Sequence, residues 1–283
     1  MPHVNRVAVT IRRLALAAIY QAGSGHPGGA LSCADLLACL YGTELYFPGN
    51  NPAHPGRDRF VLSKGHAAPA LYAAWAAIGL ARHEDVVTLR KLGSPMQGHP
   101  HVLDLPLCET STGSLGQGFS AAIGMALGLR MKRLSARTYV MLGDGELQEG
   151  EVWEGAMFAA HHRLSNLCAL IDYNKMQSDD LNERIMGLEP LAEKWRAFGW
   201  HVEEVNGHRV PEILDALRMA AGVADRPSVI IAHTIKGKGV AQMEGNPAWH
   251  GSVKLSREQI EAAMRNLGVL AHEMEDWIHG RIV

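Results

Sequence analysis

TYVMLGDGELQEG, residues 138–150, is the stretch on which the fold turns. A short apolar run, TYVML, ends at two glycines that flank an acid, Asp144, and WEGAMFAAHHRL follows. Apolar runs of this length read as buried strands, and the segment after it has the length and composition of a helix. In an open α/β sheet, ligands gather beyond the carboxyl ends of the strands, which is where GDG falls. Glycines there let the backbone approach an anion, and the next helix presents unpaired amides to it. Asp144 would repel a phosphate unless a cation lay between them. Thirty residues on, the next strand, NLCALIDYN at 166–174, ends in Asn174. One strand–helix–strand step thus brings a carboxylate and an amide oxygen to neighbouring strand tips. Such a set suits magnesium, which takes a few protein oxygens and completes its octahedron with diphosphate and water. GDG alone equally suits a solvated turn; paired with the asparagine it carries more.

Working outward, helices are expected over 4–22, 32–42, 66–78, 116–133, 149–163 and 211–222. Ser32 with Asp35 three residues on has the spacing of a capping box for the second of these. RFVLS at 59–63, WHVEEV at 200–205 and PSVIIAHT at 227–234 read as further strands. Apolar strands separated by helices imply a three-layer α/β/α architecture with a mostly parallel sheet. SREQIEAAMRNLG and AHEMEDWIHG, beyond Leu255, read as two helices packed on the outside, a helical extension at 255–283 of a single domain spanning 1–283.

Composition narrows the partners. Across 283 residues the charged fraction is 20% and the formal net charge −2, so no basic field recommends nucleic acid or a membrane surface. The longest near-apolar run, ALYAAWAAIGLA at 70–81, is too short to span a bilayer, and no secretory cleavage pattern follows the amino-terminal segment. Cys33, Cys39, Cys108 and Cys168 show no metal-binding spacing and read as core thiols of a reduced, cytoplasmic compartment.

Four histidines beside glycine stand out: His26 in SGHPGG, His66 in SKGHAA, His99 in QGHP and His250 in WHGS. Imidazole can donate to phosphate, hold a hydroxyl or move a proton near neutral pH. Singly, each reads first as a surface or core histidine; zinc finds no HExxH spacing. STGSLGQG at 111–118 opens a helix with three glycines. It fits either a tight entry turn, with Gly118, Gly124 and Gly128 permitting close helix packing, or a bare backbone wall against a flat ring. KGKGVAQMEGNPAWHG at 236–251 is a long loop of the kind that closes over ligands.

Taken in order, SGHPGG, LSKGHA, GHP, STGSLGQG, GDGELQEG, DYNKMQ and TIKGKGV…WHG closely resemble the diphosphate-binding half of transketolases, thiamine-diphosphate enzymes. The resemblance covers roughly residues 5–255. It implies a magnesium ion held by Asp144, Asn174 and the main-chain carbonyl of Met176, with His66, His250 and the Gly145 amide on the diphosphate. Gly113 and Leu115 would approach the cofactor rings, with Ser114, Gly143 and Glu146 beside them in the same loops. His26, His99 and His250 would line the sugar channel as catalytic groups, joined by His66. Glu149 and Glu154 would lie near the subunit contact in a shared hydrogen-bond network. The implied activity is reversible transfer of a two-carbon ketol unit from a ketose phosphate to an aldose phosphate.

Two departures matter. His101 follows GHP where many transketolases carry an acid, which bears on channel polarity beside His99. Transketolases run to roughly twice this length, so the resemblance implies the amino-terminal subunit of a split enzyme. Its partner would carry the pyrimidine-binding and carboxyl-terminal domains, with two copies of each chain in the particle. A dehydrogenase or decarboxylase component using the same cofactor shares GDG and the downstream asparagine, but is not expected to carry STGSLGQG and the histidines. A specialised ketol transferase is a further alternative, and a non-catalytic subunit would show erosion at Asp144, Asn174 or the histidines, all of which are present.

Overall fold

The computed structural model describes residues 1–282 other than 179 and 252. Five parallel strands form one sheet: β1 Arg59–Leu62, β2 Thr138–Gly143, β3 Leu167–Tyr173, β4 His201–Asn206 and β5 Ser228–His233. Their spatial order is β1–β2–β3–β5–β4, with Val61 beside Val140, Val140 beside Ala169 and Ala169 beside Val229. Every residue of β3 is buried, because helices cover both faces and leave no solvent side to mark by alternation. The edge strand β4 is more exposed and carries Glu203 and Glu204, charges that discourage further pairing.

The pleat sorts side chains into two cores. Val61, Val140, Leu142, Ala169, Ile171, Val229 and Ile231 meet helices Gln117–Met131, Gly150–His161 and Leu191–Ala197 on one face. Leu62, Tyr139, Met141, Cys168, Leu170 and Ile230 point the other way, into a larger core. There they meet α1 (Pro2–Ala22), α2 (Pro27–Ser32), α3 (Ala34–Cys39), Ala68–Ala77 and Val210–Gly222. The chain runs along β1, β2 and β3, steps past to β4 and returns to β5, so β5 sits beside β3 with its tip facing the same cavity.

Element ends differ from the expectations by one or two residues, except in two places. The expected helix over 32–42 is broken at Cys33, and Ser32 caps nothing: its hydroxyl donates to Asp172 (2.6 Å), while Asp35 pairs with Arg12. A buried carboxylate and guanidinium claimed both side chains before local capping could. Leu191–Ala197 carries no pattern long enough to mark it, yet Leu191, Ala192 and Trp195 bury. The tail forms helices Arg257–Asn266 and Met274–Ile278 as expected, but they do more than lie outside. Ile260, Met264, Trp277 and Ile278 enter the larger core, and Arg13 of α1 donates to the Leu267 carbonyl and lies over the Trp277 ring. Cys33, Cys39, Cys108 and Cys168 are buried and free, and no helix among the described residues is long and apolar enough to cross a membrane.

Candidate functional site

Four adjacent strand tips open into one cavity of about 330 Å³. Behind β2, buried Asp144 accepts from the Gly145 amide (2.9 Å) and from the Lys175 amide (2.5 Å). Behind β3, Asn174 turns its amide oxygen toward the Met176 N–H (3.2 Å), and Lys175 between them has a positive φ of 66°. That tight turn is what swings the Met176 carbonyl back to the cavity. Behind β5, Lys236 is buried and its ammonium donates to the Met176 carbonyl (3.0 Å) and to His250 Nδ1 (2.7 Å). Its stem crosses Gly28, where a Cβ would come within 2.9 Å of Lys236 Cγ.

Burial, with the neighbouring Asp172 carboxylate, pushes the Asp144 carboxyl up to about 6. Burial lowers Lys236 to about 8 although Asp144 opposes it. An acid held uneasily ionised beside main-chain and amide oxygens fits a hard divalent cation, and the Lys236 ammonium already sits on one of those oxygens. Among the described residues no three His, Cys, Asp or Glu side chains converge as a metal cluster, so an ion here would depend on amide and carbonyl oxygens. His66, His250 and Lys236 surround the same space with donors for an anion, so diphosphate chemistry and a divalent cation fit one set of residues.

Three imidazoles form the rim. Ring centroids of His26, His66 and His250 lie 5.2–5.9 Å apart. Burial lowers His26 to about 4, helped by Arg90, and burial with Lys236 lowers His250 to about 3; His66 is held well below its ordinary value. All three are neutral at pH 7, and His26 Nδ1 is buried without a partner among the described residues. His99 is separate: it stands against Gly113, whose Cβ would meet its ring at 3.0 Å, and lines a neighbouring opening with His101 and Asp104. His101 Nδ1 donates to the Asp104 carboxylate (2.8 Å), so the departure noted at this position is an imidazole already paired with an acid.

Gly113, Leu115, Gly143, Gly145, Glu146 and Glu149 also line the cavity; Ser114 is exposed beside it. The Glu146 carboxylate is committed internally, accepting from Ser63 and from the amides of Gly116 and Gly143 (both 2.9 Å), so it clips STGSLGQG to the tips of β1 and β2. Glu154 lies exposed on Gly150–His161, outside the cavity. The close packing expected of three glycines occurs at Gly118 alone, where a Cβ would come within 2.7 Å of Ser63 Cα; Gly124 and Gly128 face open space.

Residue reading assigned no role to three side chains here. Lys64 and Asp172 form a fully buried ion pair, and Asp172 also accepts from Ser32, Thr234 (2.5 Å) and Asn174. Burial would lower Lys64, but Asp172 holds it above its ordinary value; the same pairing keeps Asp172 low against its own burial. Lys236 is the third. Both lysines sit inside glycine-rich stretches that stood out for other residues, and their partners lie 108 and 60 residues away.

The profile of the family described as "Transketolase, thiamine diphosphate binding domain" matches residues 3–275. The 6-deoxy-6-sulfo-D-fructose transketolase subunit SqwG of Clostridium sp. (strain MSTE9) is 47% identical over 92% of this chain and 94% of its own length. One subunit of the apulose-4-phosphate transketolase of Phocaeicola vulgatus is 40% identical, with 93% of each chain covered. The crystal structure of Campylobacter jejuni transketolase superposes with a TM-score of 0.87 at 33% identity, over 95% of this chain and 43% of that one. The chain thus spans nearly the full length of the two subunits and less than half of the longer transketolase. A strand-tip cavity of this composition, a family profile matched over residues 3–275 and subunit relatives of similar length agree, and the chain belongs to the transketolase family as its thiamine diphosphate-binding domain.

Proposed function

We propose that this chain is the amino-terminal subunit of a two-component transketolase, one cofactor-binding domain with its helical extension at 255–283. It acts with a second polypeptide that supplies the pyrimidine-binding and carboxyl-terminal domains. The observation that carries the reading is the meeting, at neighbouring strand tips, of an all-oxygen set with the donors of Lys236, His66 and His250. Asp144, Asn174 and the Met176 carbonyl would hold magnesium; His66, His250, Lys236 and the Gly145 amide would hold the diphosphate. The bare backbone at Gly113 and Leu115, flanked by Ser114, Gly143 and Glu146, leaves room for the flat rings.

Bound thiamine diphosphate supplies a carbon nucleophile that accepts and returns a two-carbon ketol unit. The chain's own groups position and neutralise. His26, neutral at pH 7, can take a proton from a sugar hydroxyl or donate to a carbonyl oxygen across the rim, while His250, whose Nδ1 accepts from Lys236, carries its proton on Nε2 and donates there. His99 offers a hydrogen bond further out, where a donor sugar would extend. Glu149, at the edge of the cavity, and the exposed Glu154 face the side where a second subunit completes the pocket. The substrates are a ketose and an aldose with anionic tails; the two subunit relatives are named for a sulfonated fructose and for apulose 4-phosphate, each of which has such a tail. Buried, reduced cysteines are in keeping with the cytoplasm.

The test is a titration of this chain with its pyrimidine-binding partner in the presence of Mg2+ and thiamine diphosphate. Xylulose 5-phosphate and ribose 5-phosphate serve as substrates, and particle mass is followed alongside turnover. Ketol transfer absent from either chain alone and saturating near equimolar ratio, in a particle with two copies of each, is the expected result. Full turnover by this chain alone would sink the two-component reading. A stoichiometric complex without ketol transfer, including with sulfonated or branched sugars, would point to another thiamine enzyme.

A further inference from the structure

Lys236 and His250 belong to one loop, and something must set where it leaves the sheet. Thr234 is held by its hydroxyl on Asp172, but the Ile235 side chain is 40% exposed and anchors little by burial. Its amide donates to His208 Nε2 (2.8 Å). His208 lies in the turn after β4, a Gly–His pair outside the four singled out above. Gly207 presses that turn onto the start of the loop: its amide donates to the His233 carbonyl (2.9 Å), and a Cβ would come within 2.4 Å of Thr234.

Since the Ile235 N–H is a donor, Nε2 must offer its lone pair, and the ring proton sits on Nδ1. Nδ1 lies 2.7 Å from Asp35 Oδ2, the acceptor that this tautomer requires. Asp35 is itself fixed by Arg12 (2.5 and 3.3 Å), whose Nε donates to the Leu31 carbonyl (3.2 Å). Burial would raise the Asp35 carboxyl, but His208 and Arg12 hold it below its ordinary value. A chain of hydrogen bonds therefore runs from α1 and α3 through one imidazole to the residue preceding Lys236.

We infer that His208 is a positioning residue: oriented by Asp35, it pins the loop at Ile235 and thereby places Lys236 and His250 over the diphosphate end of the cavity. The inference rests on the cofactor reading given above for that cavity. A merely structural histidine would support the fold through Asp35; but Asp35 keeps its Arg12 partner when His208 is lost, so the effect of losing it falls on the loop.

Two substitutions separate the ring's halves. His208→Gln places an oxygen where Nε2 was and keeps an acceptor for Ile235; His208→Asn keeps a donor to Asp35 and is too short to reach Ile235. The measurements are hydrogen exchange across 234–245, the Kd for thiamine diphosphate with Mg2+ in the partner complex, and thermal midpoint. His208→Asn should speed exchange and weaken cofactor binding by about tenfold, the loss of roughly one well-made hydrogen bond, with the midpoint nearly unchanged. His208→Gln should recover both to within about threefold. Equal behaviour of the two variants, or unchanged exchange in His208→Asn, would overturn the inference. Nitrogen NMR of the unmodified protein adds a check that needs no variant: a proton on Nε2 instead of Nδ1 would overturn it as well. If the unmodified complex binds no cofactor, it is the functional reading that fails, and the exchange data still decide the pin.

Discussion

At the scale of residues, under the proposed reading, the site divides between groups for the cofactor and groups for the sugar. Asp144 is the one formal negative charge among the three oxygens assigned to magnesium, and its carboxyl is already difficult to ionise. Asp144→Asn keeps one acceptor for the Gly145 or Lys175 amide, so calorimetry should show Mg2+-dependent cofactor binding weakened by about 100-fold or more while circular dichroism stays unchanged. His26→Asn and His99→Asn should do the reverse, lowering turnover of the assembled enzyme by about 10²-fold with cofactor affinity nearly intact. Equal cofactor losses in all three variants would put these histidines in the wrong role. The depressed imidazoles also carry a pH signature. Above about 6.5, the ordinary histidine value, folded and unfolded chains are both neutral at these positions and the shift contributes nothing. As pH falls below that value the unfolded chain takes protons that the folded one refuses until about 4 for His26 and about 3 for His250, so stability falls with pH across this window. Urea denaturation from pH 7 to 4 should show a shallower decline in a His26→Asn, His250→Asn double variant. An identical slope would mean that solvent reaches these rings freely.

At the scale of elements, the Lys64–Asp172 pair ties together the tips of β1, β3 and β5 and the end of α2 through Ser32 and Thr234. The pair is fully enclosed, so its own attraction is offset by desolvation, and its value lies in registering four elements. Lys64→Met should then cost about 3–5 kcal/mol in chemical denaturation, because an uncompensated carboxylate remains buried. Adding Asp172→Leu should recover much of that loss while leaving the cavity misaligned and cofactor binding weak. If the single variant is nearly neutral, water reaches Asp172 in its absence and the pair registers nothing. The same demand for buried partners explains the break in the helix expected over 32–42. Ser32 and Asp35 have ideal capping spacing, yet each bonds across the fold instead, to strand β3 and to α1.

At the scale of the whole molecule, the helices Gln117–Met131 and Gly150–His161 leave an incompletely covered face. Met131, Met157 and Phe158 are exposed, and Gly124 and Gly128 open onto empty space between the side chains of their helix. Under the two-component reading this face, continuous with the loop at 111–118, meets a neighbouring subunit. Charging it with Met157→Asp and Phe158→Asp should weaken assembly by about tenfold or more in analytical ultracentrifugation while the isolated chain keeps its thermal midpoint, since neither side chain is buried. Unaltered assembly would move the contact to another face.

The sequence by itself determined the alternation of strands and helices, and with it the three layers. Those signals are local: an apolar run of five or six residues, a glycine at a strand tip, a helix of adequate length. It also marked the loops that gather at the strand-tip cavity, because Asp144 and the histidines stand in short glycine-bearing stretches, Asn174 ends the next strand, and their order is itself a pattern. Only the tertiary structure decided which of these meet. His26, His66 and His250 share one rim while His99 stands behind Gly113, Glu146 turns inward as a clip, and Lys236 lies against the Met176 carbonyl. The physical reason is that buried charges and polar groups must find partners wherever the packed chain supplies them. For Lys64, Ser32, Asp35 and His208 those partners lie at sequence separations that no local pattern spans.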